Sequence, residues 1–547
     1  MIPTTPRNKK NTDNLTKKPF RHYFAYPAVA LLALKNKIGE RFVRQDHAIL
    51  SNGLMPLAPL LISVSLLLTG GATLAEEPKP LGQINDYLRV TGELQGRYEL
   101  WDYFQPTPAV NNNNDYDFWA LRARLGVLLT TAFVDGYAQA QYTGLYGLPN
   151  NAVAVPGGAL GLGAAYFSES QSTTSPSNVF LKQAYLNLKF APLGLPGMFL
   201  KVGRFELLDG MDYKTGDDKF DGLKLSRVSQ RLIGPIGFTH ITRDFDGFSA
   251  VYDKTAVNVT VSGVRPTQGG LNIQAQDEIT AVNLLYTALT SKKDKLLPDT
   301  EGRLFYIYYG DDRHTQVVDN RPVTDRPFLN QQNLTIHTLG THLLTLKPLG
   351  SGSIDGLLWG AYQFGNWTDQ TQEAWSIDAE AGYQWDKLPF KPWLRAVYSL
   401  SSGDDNPRDG KHKTFFEILP STRAYAKFPY FSLMNLQDAL VEMIVAPTQN
   451  IKVAINLHHL SLANSNDLFY AGVGATSRSG SFGYQGRSSG GNSNVGELVD
   501  ISFTQKLNKQ VSWAAYYAHA FGGNVLQNSY QGKQDADYAF VEFNLTF

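Results

Sequence analysis

Arginines recur at every second position in several short segments of the chain. Arg122 and Arg124 alternate with the apolar residues Leu121, Ala123 and Leu125. Successive side chains of an extended strand point to opposite faces, so both guanidinium groups would lie on one polar face. A guanidinium is planar, always charged and able to bind a carboxylate through two hydrogen bonds, so a row of them could select anionic solutes in a channel.

Other segments place charges on a polar face in the same way. Asp378 and Glu380 lie on such a face, so we expect a channel wall of mixed charge rather than a plain basic tunnel. Each charge has two open roles, which are contact with a solute and pairing with a neighbouring strand that braces the wall. The candidate solute contacts obtained from alternation are Arg89, Arg97, Arg122, Arg124, Arg395, Asp378 and Glu380.

Residues that could bind a metal have unsuitable spacing. The acidic stretch 404–410 does not match the D-x-[DN]-x-[DN]-G calcium loop, so we interpret it as a solvated loop, with calcium as the alternative. His458 and His459 are adjacent on a predicted strand and would point to opposite faces. We therefore expect no metal, no cofactor and no catalytic residue.

Composition favours a membrane barrel over a soluble or helical membrane protein. The 547 residues include 28 Tyr, 30 Phe and 49 Gly, only 18% are charged, and the mean hydropathy is -0.24. Transmembrane strands alternate lipid-facing and lumen-facing residues, so they are rich in aromatics yet polar on average. Because the formal net charge is zero, the chain has no overall positive potential that would attract nucleic acid. The lack of Cys excludes disulfides and thiolate chemistry.

From about Asp86 onward, apolar residues recur at every second position, which predicts β-strands. In the clearest segment, Trp375 and Trp385 share the lipid face and would lie near opposite membrane interfaces. Long connections near 147–178, 208–237, 403–430 and 463–495 alternate with tight turns. We predict an all-β fold, a transmembrane antiparallel β-barrel of about 18 strands with short periplasmic turns and long extracellular loops. The strands are predicted near residues 86–99, 117–131, 136–146, 179–190, 198–207, 238–252, 255–265, 277–289, 301–310, 334–346, 355–365, 374–386, 392–402, 431–446, 451–462, 496–507, 511–521 and 535–547.

Targeting signals are predicted at both ends of the sequence. Residues 1–75 are predicted to be an N-terminal extension and signal peptide cleaved after Ala75, because the apolar run 56–68 is too short to span a membrane and small residues follow it. A retained tail is the alternative. Residues 76–547 would form the barrel. Phe543, Leu545 and Phe547 share one face of the last strand and resemble the terminal assembly signal of outer-membrane proteins, with a buried core strand as the alternative.

Three stretches of the chain resemble the alginate-export family of outer-membrane porins. They are Gly203 to Glu206, Arg231 to Gly247, and Ser402 to Lys411. The resemblance implies a monomeric 18-stranded barrel with a charged lumen that carries anionic polysaccharide or smaller solutes. It also implies three further lumen residues, Arg204, Arg243 and Asp246.

The sequence thus favours a channel of the bacterial outer membrane, not an enzyme, for passage or export of solutes such as anionic, alginate-like saccharides. Its expected partners are outer-membrane lipid, the barrel assembly machinery and an anionic or saccharide solute, without nucleic acid, and the chain is expected to be a monomer. The alternatives are a barrel enzyme acting on lipid or saccharide, and an adhesin using long loops such as 472–496. Discrete current steps in planar bilayers would distinguish a channel from both.

Overall fold

The computed structural model of the chain describes residues 82–107, 114–154, 158–421 and 426–547. The predicted extension and signal peptide, residues 1–75, lie outside the described residues. Among the described residues, no helix is long and apolar enough to cross a membrane.

Eighteen antiparallel strands form a closed barrel. Each strand pairs with the next along the chain, and the last pairs with the first from Glu93↔Thr546 to Asp102↔Asp537. The prediction of about 18 strands is confirmed, and every predicted segment overlaps one strand. The strands are β1 Leu88–Asp102, β2 Asp115–Thr130, β3 Val134–Tyr146, β4 Ser177–Lys189, β5 Met198–Phe205, β6 Phe245–Asp253, β7 Val257–Pro266, β8 Val282–Ser291, β9 Thr300–Asp311, β10 Leu334–Leu349, β11 Gly352–Trp367, β12 Gln370–Gln384, β13 Trp393–Ser401, β14 Leu436–Thr448, β15 Ile451–Leu462, β16 Asn494–Lys506, β17 Val511–Gly522 and β18 Ala536–Thr546.

Alternate residues of the strands face lipid and lumen, as the sequence predicted. On β12, Trp375 and Ile377 are 40% and 47% exposed, whereas Ser376, Asp378 and Glu380 are buried. The exposed apolar residues therefore form the outer surface. Trp385, predicted for the opposite interface, follows the end of β12 and is half-buried.

Short and long connections lie at opposite ends of the barrel. The turns at 131–133, 350–351 and 449–450 are at one end, and the connections 147–176, 206–244, 402–435 and 463–493 are at the other. One connection breaks the predicted alternation, because only residues 368–369 join β11 to β12 at the long-loop end.

Short helices and short paired strands occur within the connections between the barrel strands. The helices are α1 Leu162–Glu169, α2 Asp218–Leu223 and α3 Asn524–Ser529, with 3-10 turns at Ala191–Leu193 and Val323–Asp325 and a π-helical turn at Lys224–Val228. Short paired strands occur at Val153–Ala154 with Gly158–Ala159 and at Leu468–Gly472 with Tyr484–Ser488, and Lys411–His412 lies beside β12.

Part of the interior of the barrel is filled by its own side chains. Phe220 and Leu232, from the connection 206–244, pack in one buried cluster with the wall residues Tyr286, Ile307 and Trp359. The lumen-facing side of the strands was expected to be polar, but part of it is therefore apolar. Predicted strand 238–252 begins only at Phe245, because residues before it belong to this inward connection.

Candidate functional site in the barrel lumen

The connection between β5 and β6, residues 206–244, crosses the lumen and is called here the lumen segment. Arg231 of this segment binds Asp378 on β12, while the carbonyl of Thr239 accepts a hydrogen bond from Arg122 on β2. Strands β2 and β12 lie nearly opposite one another in the ring of 18. The lumen segment is therefore held by both walls.

Local hydrogen bonds determine the shape of the lumen segment. The Asp217 carboxylate caps α2 by accepting from the backbone N–H groups of Lys219 and Phe220. The buried Asp209 carboxylate accepts from the N–H groups of Leu232 and Ile233, 2.9 Å away in each case. These bonds join the start of the segment to its middle and satisfy donors that would otherwise be buried unpaired.

Strands β12 and β14 present buried carboxylates to this segment. Arg231 donates to Asp378 at 2.8 Å and to Glu380 at 3.1 Å. Arg395 donates to the second oxygen of Glu380 at 2.6 Å, and Arg227 of the π-helical turn pairs with Glu442 on β14. The structure brings the predicted residues Asp378, Glu380 and Arg395 together at inward positions. Sequence reasoning missed Arg231 and Arg227, although Arg231 opens one of the family-like stretches.

Strands β1 and β2 carry the predicted arginines on the facing wall. Arg122 donates to Glu93 at 2.5 Å, and Arg124 also binds Glu93 at 3.3 Å. Both reach the lumen segment, Arg122 through the carbonyl of Thr239 at 3.3 Å and Arg124 through the hydroxyl of Thr242 at 3.2 Å. Their inward placement agrees with alternation, and their role as solute contacts stays a prediction.

Arg97 fastens the lumen segment at the seam where the barrel closes. It pairs with Glu542 of β18 at 2.6 Å and donates to the carbonyl of Phe238 at 2.9 Å. Its guanidinium also lies 4.4 Å from the ring centroid of Phe238 and 4.8 Å from that of Phe540. A cation between two aromatic faces is well held, because each ring face carries negative charge density.

Two of the predicted solute contacts, Arg89 and Arg243, have different surroundings from the residues of these two walls. Arg89 is exposed at the start of β1, where it lies in register with Leu128 of β2. Arg243 belongs to the segment and is fully buried, donating to the carbonyls of Val473 at 2.8 Å and Ala475 at 3.2 Å. Arg243 therefore ties the segment to a long loop rather than lining a passage.

Arg204 and Asp246 lie on the outer face of the barrel, which corrects their expected place in the lumen. On β5, Arg204 has the same facing as the exposed Val202, whereas the buried Phe205 points inward. Arg204 binds Asp246 of β6 through two hydrogen bonds of 2.7 and 2.6 Å.

The acidic stretch at 404–410 has its own cation. The ammonium of Lys413 lies 2.5 Å from Asp405 and 2.9 Å from Asp409. Within the part of the chain that the structure describes, no group of three or more His, Asp or Glu residues could hold a metal ion. His458 and His459 do point to opposite faces, since the first is buried beside Asp438 and the second is exposed.

The end of the chain closes the seam beside β1. Phe543 is exposed on the outer face, Leu545 pairs in register with Leu94, and Phe547 exchanges two backbone hydrogen bonds of 3.0 Å with Gly92. A Cβ on Gly92 would lie 2.2 Å from the Phe547 ring. The assembly role of these residues stays a prediction.

A cavity of about 980 Å³, called here the vestibule, lies among the long loops. Its floor includes Ile236, Phe238 and Thr239 of the lumen segment, and its walls include Tyr103, Tyr530 and the strip 476–485. A solute entering from this end would therefore meet the vestibule before the lumen segment.

Comparisons with known proteins agree with this architecture. A family model described as alginate export matches residues 163–542, which is more than half of the chain. Similar solved structures include OpdK of Pseudomonas aeruginosa, with a TM-score of 0.50 and 10% identity, covering 84% of this chain and 98% of that one. OccAB4 of Acinetobacter baumannii has a TM-score of 0.51 and 10% identity, covering 86% and 100%. OccK9 (OpdG) of Pseudomonas aeruginosa has a TM-score of 0.53 and 9% identity, covering 84% and 98%.

At such identities the solved structures establish the fold alone, and no curated protein sequence matches the chain. The family match and the 18-stranded barrel identify an outer-membrane channel for solutes. The chain belongs to the alginate export family.

Proposed function

We propose that this channel passes small anionic solutes, such as acidic mono- and oligosaccharides, rather than an intact polysaccharide. The observation that carries this proposal is the lumen segment, which is anchored to both walls and packed in a buried apolar cluster. A polymer needs a continuous wide passage, whereas a small solute can pass a constriction by local movements. The proposed channel works without catalysis and as a monomer.

The anion preference is supported by the wall of β1 to β4. Arg97, Arg122, Arg124 and the buried Lys182 all point inward there, and each already has a carboxylate partner. A solute carboxylate would replace such a partner rather than meet a bare charge, which keeps binding weak enough for release. One structural neighbour, OpdK, was crystallised with vanillate.

The proposal can be tested with purified protein in liposomes and planar bilayers. We expect galacturonate to permeate faster than glucose, which has a similar size without the charge, and polymeric alginate to be excluded. The reversal potential under a salt gradient should indicate anion preference. Equal permeation of galacturonate and glucose, or passage of the polymer, would overturn the proposal.

A further inference from the structure

We propose that the vestibule is a recognition site for an acidic oligosaccharide of a few sugar units, with Arg487 as its main carboxylate contact. This inference rests on the proposed function and specifies where the solute is first bound. The volume of about 980 Å³ is at the upper end of the range for small-molecule sites, roughly 300 to 1,000 Å³. It suits several sugar rings better than one.

Aromatic rings form one side of the vestibule. Tyr103 and Tyr530 are both buried and meet edge to face, with ring centroids 6.1 Å apart. The guanidinium of Arg487 lies 4.4 Å from the ring centroid of Tyr530. Stacking on the ring orients the planar guanidinium, so that its fork could bind a carboxylate.

Hydroxyl groups line another side. The strip 476–481 contains one Thr and three Ser, and all of its residues border the vestibule. The hydroxyl of Thr476 is buried and has no hydrogen-bond partner among the described residues. An unpaired buried hydroxyl is unfavourable, and a hydroxyl-rich ligand in the vestibule would supply the missing bond.

Charged residues of both signs line the vestibule, with one more cation than acid, and Arg326 is paired with Asp319 at 3.7 Å. The cations are Arg326, Lys427, Arg478 and Arg487, and the acids are Glu169, Asp277 and Glu417. Asp277 is balanced by Arg478, 3.6 Å away, and Glu417 accepts a hydrogen bond from the N–H of Leu433 at 3.1 Å.

The experiment is calorimetric titration of the detergent-solubilised protein with trigalacturonate and with maltotriose, a neutral sugar of matched length. We expect trigalacturonate to bind at least tenfold more tightly. Arg487→Gln should weaken trigalacturonate binding about tenfold and leave maltotriose unchanged. The control is Arg265→Gln, because Arg265 is on the outer face of β7 and half-exposed, and it should leave both affinities unchanged.

Equal affinities for the two sugars, or full trigalacturonate affinity in Arg487→Gln, would contradict the vestibule site. Lys427→Gln provides a second variant on a different loop, in case Arg487→Gln does not fold, and a loss of affinity is again expected. The two proposals can fail separately. If trigalacturonate binding depends on Arg487 but the channel passes galacturonate and glucose equally well, only the anion-selective function is refuted.

Discussion

The guanidinium of Arg231 donates a hydrogen bond to the carboxylate of Asp378 across 2.8 Å, and both side chains are buried inside the barrel. This pair joins the lumen segment to the wall formed by β12. Removing one partner of a buried pair leaves an uncompensated charge, which costs about 3–5 kcal/mol, while removing both costs less.

Replacement of Arg231 should therefore loosen the lumen segment. We expect Arg231→Gln to increase single-channel conductance and to lower the temperature at which the folded barrel band is lost on semi-native gels. The double variant Arg231→Gln with Asp378→Asn should recover part of the stability and keep the raised conductance. Unchanged conductance in both variants would mean that the segment does not limit the passage.

Charge on the opposite wall should control ion preference. Replacing Arg122 and Arg124 together with Gln removes two positive charges and leaves Glu93 unbalanced, so the reversal potential should shift toward cations. The shift should shrink at 1 M salt, where the Debye length falls to about 3 Å. The matched control is Arg204→Gln with Asp246→Asn on the outer face, which should leave selectivity unchanged. If replacing Arg122 and Arg124 also leaves the ion selectivity unchanged, both arginines serve only to hold the wall and the lumen segment together.

The contact between Gly92 and Phe547 should be needed for closure of the seam. Gly92→Val would place a side chain where the Phe547 ring lies, and Phe547→Ser would remove that ring, so both should reduce the yield of folded barrel in the outer membrane. Gly96→Ala is a suitable control on the same strand, because nothing lies within 4 Å of its added Cβ. Full yield of Gly92→Val would show that the ring can move aside at little cost.

The loop around Asp404 should respond to pH. Burial raises the pKa of Asp404 to about 6. The charged groups near it are Asp405, Asp409, Lys413 and Asp467, and the Asp467 carboxylate accepts a hydrogen bond from the Asp404 N–H at 2.9 Å. A carboxyl whose pKa is higher in the folded loop than in the unfolded chain favours the protonated, folded form, so loop stability should fall as pH rises from about 4 to about 6.

Hydrogen exchange of residues 402–413 can measure this change, with faster exchange expected at the higher pH after correction for the intrinsic rate. Asp404→Asn should weaken the dependence, and Asp404→Asn combined with Asp467→Asn should remove it, because burial raises the pKa of Asp467 to about 6 as well. The same dependence in Asp404→Asn would assign the titration to another group.

Sequence reasoning succeeded where the signal repeats locally. Lipid and lumen impose a period of two on every strand, so alternation located all 18 strands and the inward facing of Arg97, Arg122, Arg124, Asp378, Glu380 and Arg395. It was ambiguous for Arg204, because β5 has Val202 and Arg204 on one face and Lys201 and Phe205 on the other, so neither face is purely apolar.

The partners of those inward charges depended on tertiary structure. Arg122 meets Thr239 from 117 positions away, and Arg231 meets Asp378 from 147 positions away. Periodicity records which face a side chain occupies, but it holds no information on which distant segment enters the lumen. The sequence by itself therefore determined the barrel and its two faces, whereas the crossing of the lumen by residues 206–244 was decided by long-range ion pairing and burial of apolar surface, which exist only once the barrel has closed.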